Sequence, residues 1–415
     1  MRIAVTTSMA RVMGGAETYV EAVIPALQAS GHELAILSEY QGPAGQRQIT
    51  NSASVSAWCA ETLGIAEALR KLAEWHPEIV FGQSALSIEL ETKIVEIAPL
   101  VSIVHDYRGS CISGSKCYQR PRLRACPRRF GPGCLAYFYP RRCGGLNPLT
   151  MMRDYHAASR QFAQLRRSAM ILTASEHMRN EYCKYDLDPD RIKCVGCVVN
   201  SAPAPLSPAD DDRLPSRILF AGRFEYLKGA AILLDALPQA VAALDRKLQL
   251  TLAGAGRQRT ALESQASRIA AAEPRLTIEF RGWLDAGQMQ NAYRSADLLV
   301  MPSLWPEPFG LAGPEAGLHG VPAVAFATGG IPEWLCEGRN GYLAPADPPT
   351  TEGLAAAIVA CLRDPARHRH MRAKAIELAS RFSVERHIAK LNEIFTSLAG
   401  RKTMPAASNR GVSRN

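Results

Sequence analysis

Short apolar runs alternate along this chain with longer stretches of helical period, and most runs end in a glycine-bearing or polar turn. The first run, Arg2 to Thr6, leads into the flexible Met13-Gly14-Gly15. Ala16 to Ala29 then repeats its apolar positions with helical spacing until Gly31 ends it. Strands are predicted at Leu34–Leu37, Ile79–Phe81, Leu100–His105 and Met170–Thr173, with a helix near Leu63–Glu74 among them. Such alternation reads as α/β with a parallel sheet, because parallel strands need a crossover connection that a helix supplies.

Between Ser201 and Pro215 the text turns to proline, alanine and three consecutive aspartates, which neither helix nor strand tolerates. The pattern restarts beyond it, with strands at Ile218–Ala221, Leu248–Leu252, Leu276–Phe280, Leu298–Met301 and Ala323–Phe326 and a helix from Ala230. The architecture expected is two Rossmann-like, doubly wound parallel-sheet domains facing a cleft. Residues 1–200 form the first, 201–215 a linker, 216–381 the second and 382–399 a closing helix, with 400–415 a basic tail expected to be disordered. In open parallel sheets ligands sit beyond the carboxyl ends of the strands, so the chemistry is sought in the loops that follow them.

Composition narrows this picture. A chain of 415 residues exceeds one ordinary core, and 47% hydrophobic with 21% charged residues fits a soluble globular protein. No run reaches the roughly 18 apolar residues of a membrane span. The N-terminus lacks a signal-like segment, so a cytoplasmic location and reduced cysteines are expected for all eleven. The net charge of +9 is concentrated: His105 to Ala169 holds thirteen Lys and Arg against Asp106 and Asp154, a local +11 that leaves the remainder at −2. Such a surplus concerns a partner of that region and not the fold.

After the strand Leu298–Met301 stands a loop in which seven residues separate Glu307 from Glu315, the second in the first turn of the following helix. A loop carboxylate accepts hydrogen bonds from sugar hydroxyls, and a second one near a helix start accepts those of a ribose. The amides around Gly310 and Leu311 open that helix, where anions are favoured. The plain alternative is a solvated Glu307 and a Glu315 that only complements the helix dipole. Against it stands Ala-Gly-Arg-Phe-Glu-Tyr-Leu-Lys-Gly after the first strand of the second domain, which puts Arg223 and Lys228 on one strand-to-helix loop. Two cations there clamp a diphosphate and neutralise its charge as it leaves. Asp210-Asp211-Asp212 lies in the proline-rich stretch and reads as solvated charge, so no metal site is predicted.

These segments resemble the family 4 glycosyltransferases of the retaining, two-Rossmann-domain (GT-B) type. The likeness is carried by Gly222-Arg223 through Lys228-Gly229, Ala253 to Gly256, Arg281-Gly282, Ala296-Asp297, Pro302-Ser303, the Glu307–Glu315 block, Gly320-Val321-Pro322, Gly329 to Glu333 and Gly338 to Gly341, in that order. The resemblance implies that Arg223 and Lys228 bind the diphosphate, Glu307 the donor sugar hydroxyls and Glu315 the ribose. It implies that Phe309, Gly310 and Leu311 act through backbone amides. It further implies that Gly14 and Gly15 bring backbone close to the donor, and that His105 at a strand end touches the sugar. The activity implied is transfer of a sugar from a nucleotide-sugar to an acceptor with retention, without metal or cofactor.

The stretch 106–148 departs from a compact Rossmann unit. Its Cys111, Cys117, Cys126, Cys134 and Cys143 lack the paired C-x-x-C spacing of structural zinc sites, so zinc is not favoured over packed or free thiols. Cys194 and Cys197, the lone C-x-x-C, read as strand packing. Tyr137-Phe138-Tyr139 before Pro140-Arg141-Arg142 suggests a surface for anionic lipid, and hence a lipid-linked or glycan acceptor in cell-surface glycan synthesis and a peripheral membrane location. Two rival functions follow from the same features: a nucleotide-sugar epimerase on the same fold, and a nucleic-acid-binding protein using the thirteen cations. No recognised nucleic-acid-binding module is present, which counts against the second.

Overall fold

A computed structural model describes residues 1–83, 86–199, 214 and 216–400. The linker 201–215, apart from Leu214, and the tail beyond Gly400 lie outside these residues, as do Asp210 to Asp212. By compactness the chain divides into residues 1–101 with 388–415, and residues 102–387.

The strands are β1 (Arg2–Met9), β2 (Glu33–Tyr40), β3 (Ser56–Cys59), β4 (Ile79–Gly82), β5 (Leu100–Val104), β6 (Cys117–Tyr118), β7 (Arg124–Ala125), β8 (Met170–Thr173) and β9 (Ile192–Cys194). Then come β10 (Arg217–Ala221), β11 (Leu248–Ala253), β12 (Leu276–Gly282), β13 (Leu298–Met301), β14 (Ala323–Phe326) and β15 (Gly341–Ala344). One sheet has the order β3-β2-β1-β4-β5-β8-β9 and another β12-β11-β10-β13-β14-β15. The β1–β2, β1–β4, β2–β3 and β8–β9 pairs are parallel, as is every pair of the second sheet. Two parallel α/β sheets, doubly wound, make the fold GT-B.

In the first unit, the helix Gly15–Ala29 follows β1 and buries Tyr19, Val20, Val23, Ile24 and Leu27. A separate core gathers Ala4, Leu37, Leu72, Val80, Leu90 and Ile94. The helix Ile65–Glu74 buries Ala68 and Leu72, four apart on one face, and carries Glu67, Arg70, Lys71 and Glu74 outside that pair.

In the second unit the apolar runs are continuous because both faces of the sheet are covered. Ile218 and Phe220 of β10 point into the core with Leu233, Leu234 and Leu237 of the helix Ala230–Leu244, whereas Leu219 between them joins the opposite cluster with Leu299 and Met301. Each fully buried leucine contributes about 1.5–3 kcal/mol from apolar area removed from water. That burial explains the one helical run among the described residues, Tyr226–Leu244, that is long and apolar enough by composition to cross a membrane: Leu233, Leu234, Leu237, Ala240 and Val241 in it are fully buried.

The basic insertion is a small unit with its own antiparallel pair β6–β7, a short helix Gly133–Phe138 and the start of the helix Pro148–Arg167. Buried Lys116 fastens it, donating to the Arg128 carbonyl at 2.6 Å and pairing with Glu181 at 3.3 Å. Tyr185 Oη donates to the Ser110 carbonyl and accepts from the Phe130 amide, both at 2.8 Å. None of the eleven cysteines is joined in a disulfide. Among the described residues no three His, Cys, Asp or Glu side chains form a metal-binding group. Cys194 ends β9, as the strand-packing reading has it, while Cys197 lies beyond the strand.

Candidate functional site

The second sheet reverses its winding between β10 and β13, which are hydrogen-bonded neighbours although far apart in sequence. Loops leaving the carboxyl ends of two such strands diverge to opposite faces and leave a crevice. The loop after β10 carries Arg223 and Lys228, and the loop after β13 carries Glu307. Lys228 Nζ donates to Glu307 Oε1 at 2.6 Å. The loop carboxylate is therefore not solvated: Glu307 is 4% exposed.

Two glycines permit this approach. Gly229 has φ +72, and a Cβ there would stand 1.8 Å from the Pro302 carbonyl oxygen, so only glycine lets the Lys228 turn press against the Pro302-Ser303 segment. Gly329 has φ +62, and its Cβ would lie 2.1 Å from the Glu307 carbonyl oxygen. The Gly330 amide completes that contact, donating to the Glu307 carbonyl at 2.8 Å.

Glu307 Oε1 also accepts from Ser303 Oγ at 2.6 Å and Trp305 Nε1 at 2.9 Å. Three donors, one cationic, hold this oxygen and restrain the carboxylate. The Lys228 ammonium also sits 5.5 Å from the centre of the Trp305 ring, a cation–π distance. Trp305 in turn meets Tyr107 edge-on at 6.3 Å, and Tyr107 meets His177 in the same way. Tyr107 Oη and His177 Nε2 are buried with no hydrogen-bond partner among the described residues. Burial and the nearby Glu181 and Glu307 charges raise the Tyr107 phenol well above its usual range, so it remains a neutral donor.

Glu315 lies in the helix Ala312–Leu318, where the sequence puts it. That helix is only seven residues long and its flanking Leu311 offers no side-chain cap, so its dipole is weak. Gly310 has φ +89 and its carbonyl accepts from the Gly313 amide, while the Leu311 carbonyl accepts from the Glu315 amide. Phe309 turns its ring inward against Phe382 at 5.0 Å, and its carbonyl accepts from Trp334 Nε1 at 2.7 Å. Burial raises the Glu315 pKa, and a hydrogen bond from Tyr293 opposes the rise. Tyr293 Oη donates to Glu315 Oε2 at 2.9 Å, with its ring stacked on His319 at 5.8 Å.

Arg223 is exposed. His105 follows β5, partly buried, and desolvation pulls its pKa down to about 4, so it is a neutral imidazole at neutral pH. Gly14 caps the helix Gly15–Ala29 in extended backbone, and Glu17 in its first turn accepts from Ser8 Oγ at 3.2 Å. Gly14 and Gly15 thus follow β1, itself at the reversal point of the first sheet, where β1 lies between β2 and β4.

Several neighbours of these residues were given no role by sequence. Ser303 stands in a motif that carries the family resemblance, and Trp305 flanks Glu307 closely enough for its motif to have suggested it. Tyr293 lies 22 residues before Glu315 on another helix, and no spacing rule links the two. Glu333 belongs to a matched motif without an assigned role; its carboxylate accepts from the amides of His177 and Glu176 at 2.7 and 2.9 Å, capping the helix Glu176–Cys183.

Two family models match the chain on either side of the proline-rich stretch: Glycosyltransferase Family 4 over residues 13–202 and Glycosyl transferases group 1 over residues 215–364. An uncharacterised glycosyltransferase of Methanocaldococcus jannaschii is 28% identical over 50% of the chain, and the match spans 54% of that relative, about half its length. A glycogen synthase of Mycobacterium tuberculosis is 27% identical over 89% of the chain and 88% of its own length. A phosphatidyl-myo-inositol mannosyltransferase of Mycobacterium leprae is 37% identical over 39% of the chain and 42% of its own length. Among solved structures, an Anabaena protein in complex with UDP and glucose superposes with a TM-score of 0.66 over 96% of this chain and 100% of its own, at 18% identity, a likeness of fold.

Proposed function

The chain is a glycosyltransferase of the GT-B fold resembling family 4, and from that premise we propose that it transfers a sugar, with retention, from a nucleotide-diphosphate sugar to a lipid-linked or polysaccharide acceptor. The observation that carries this reading is the 2.6 Å contact between Lys228 and Glu307 at the reversal point of the second sheet. It places a cation suited to a diphosphate beside a carboxylate suited to sugar hydroxyls.

In this reading Glu307 Oε2 accepts from the donor sugar, Glu315 accepts from the ribose, and Arg223 with Lys228 spans the diphosphate. The amides of Phe309, Gly310 and Leu311 add weaker contacts. His105 meets the sugar as a neutral hydrogen-bonding group. The acceptor hydroxyl attacks the anomeric carbon on the face from which the diphosphate leaves. The bond to the phosphate oxygen breaks, the bond to the acceptor oxygen forms, and the acceptor's proton passes to the departing phosphate oxygen. The two cations stabilise the charge on that oxygen, worth about 3–4 kcal/mol for a well-placed donor. No divalent ion is required for this step.

UDP-sugars are the first donors to test, since UDP and glucose occupy a protein of this fold. The acceptor classes rest on relatives named for glycogen and for phosphatidyl-myo-inositol, and a lipid-borne acceptor would make the protein peripheral on a cytoplasmic membrane face. A thermal-shift screen across UDP-, GDP- and ADP-sugars tests the donor site: a ligand at a hundredfold its Kd stabilises the folded state by about 2.7 kcal/mol. Failure of all of them overturns the assignment. Product analysis by NMR then tests retention, an inverted anomeric centre refuting it. A new epimer formed without any acceptor would instead support an isomerase.

A further inference from the structure

Eleven large apolar side chains are exposed among the described residues, and six of them, Trp283 at 75% exposure included, are spread along the sequence, whereas the other five are not. Tyr137, Tyr139, Leu146, Leu149 and Met152 fall within one short segment of the basic insertion, with Leu146 and Leu149 the most open at 73% and 78% exposure. Tertiary contacts gather them at one tip. The Cys143 amide donates to the Phe138 carbonyl at 2.9 Å, and Gly144 packs so closely that a Cβ there would stand 2.6 Å from the Phe138 ring. The chain after Tyr139 is thereby folded back on the helix Gly133–Phe138. Asn147 then caps the helix Pro148–Arg167, its side chain accepting from the Leu149 amide at 2.9 Å. Leu149 and Met152 are three apart on that helix and share its outer face.

Cations surround this tip without carboxylates to answer them. From Tyr107 to Arg153 the chain has no Asp or Glu. Arg120, Arg122, Arg124, Arg128, Arg141 and Arg142 form no ion pair among the described residues. Arg128 and Arg141 instead lie over the Tyr137 ring, at 4.2 and 5.9 Å, and Arg141 over Tyr118 at 5.1 Å. Arginine held on tyrosine keeps its charge while presenting a flat amphipathic face.

We propose that this tip docks the protein on an anionic lipid bilayer, with Leu146, Leu149 and Met152 entering the acyl boundary and Tyr137, Tyr139 and the arginines at headgroup level. The proposal deepens the lipid-linked acceptor reading and rests on it for its purpose. Charge complementarity selects this occupant. A second copy of the chain would bring the same cations, and a nucleic acid would leave two open leucines in water. A bilayer with anionic headgroups satisfies both features at once, tyrosine and arginine at its interface and leucine beneath.

Flotation of the full chain with phosphatidylcholine vesicles, with and without 30 mol% phosphatidylglycerol, tests the proposal. Recovery is expected on anionic vesicles at low salt and should fall steeply in 0.5 M salt. Each cation near such a surface is worth about 1 kcal/mol, roughly fivefold in partition. R120Q/R122Q/R142Q should therefore lower recovery about a hundredfold. L146S/L149S should lower it at least tenfold, with the melting temperature unchanged because both side chains are already exposed. Undiminished recovery of L146S/L149S, equal recovery on neutral vesicles, or no recovery of the native chain overturns the proposal. RNA binding without vesicle recovery overturns it as well and assigns the arginines to a polyanion in solution. UDP-sugar binding is measured on the same preparations, so loss of docking with donor binding intact refutes the tip and spares the transferase reading.

Discussion

Removing the Lys228 ammonium tests the centre of the proposed site most directly. Glu307 is 4% exposed and its Oε1 takes hydrogen bonds from Lys228, Ser303 and Trp305 at 2.6, 2.6 and 2.9 Å. In K228A only the two neutral donors remain, each worth about 1 kcal/mol net, and they cannot offset an uncompensated buried carboxylate. Breaking a buried pair from one side costs about 3–5 kcal/mol. The Lys228 side chain is 24% exposed, so the lower end, about 3 kcal/mol, is expected. For a unit of this size that corresponds to a fall in Tm of roughly 5–10 °C.

E307Q should cost less, because the ammonium it strands is partly solvated. K228A/E307Q should be more stable than K228A alone, with a coupling of about 1–3 kcal/mol. Thermal and urea denaturation followed by circular dichroism gives the cycle, and calorimetry with UDP gives the ligand side. K228A should weaken UDP at least tenfold, whereas E307Q should leave UDP within about threefold and impair use of the sugar donor. A Tm for K228A within 2 °C of the native value, or a double variant showing the plain sum of the single losses, would refute the pairing. Unchanged UDP affinity in K228A would refute its role at the diphosphate.

Tyr293→Phe removes the hydrogen bond to Glu315, about 1.5–3 kcal/mol for a bond to a charged group. Because that bond opposes the burial that raises the Glu315 pKa, the variant should lose UDP affinity at a higher pH than the native protein on acidification; identical pH profiles would exclude the phenol as a positioning group. His105 has a folded pKa near 4, below its ordinary 6.5, so the unfolded chain takes up a proton first and stability should fall as pH drops from about 6.5 toward 4, by ~3 kcal/mol at most. H105N should lack that component in urea titrations at pH 7 and pH 4.5, and an equal pH dependence in both proteins would contradict it. Gly229→Ala should depress turnover and Tm together, since its Cβ meets the Pro302 carbonyl; a native-like melting curve would show that the turn relaxes without cost. Transfer activity should survive dialysis against EDTA, and a loss restored only by added Mn²⁺ or Mg²⁺ would overturn the metal-independent reading.

The strand runs of both sheets were legible because residues buried on two faces must be apolar at every position, as β13 and β14 are and as β10 is beyond Arg217. Edge strands were less so. Ser56–Cys59 and Ile192–Cys194 terminate the first sheet with partly exposed patterns, and Gly341–Ala344 ends the second within a short glycine-led run; each carries too few apolar positions to stand out. The residue types of the proposed nucleotide-sugar site, Arg223, Lys228, Glu307 and Glu315, are likewise named by the sequence, since their chemistry and strand-end placement are local properties.

Which of them touch was decided by the tertiary structure. Lys228 and Glu307 meet because β10 pairs with β13 and not with β12, an order that periodicity along the chain does not contain. Tyr293 reaches Glu315 because two helices converge, and Leu146 and Leu149 stay in water because the Gly144 turn leaves them nothing to pack against. Sequence sets what each position prefers. Long-range strand order and packing determine which preferences are satisfied together and which remain open to a ligand or a surface.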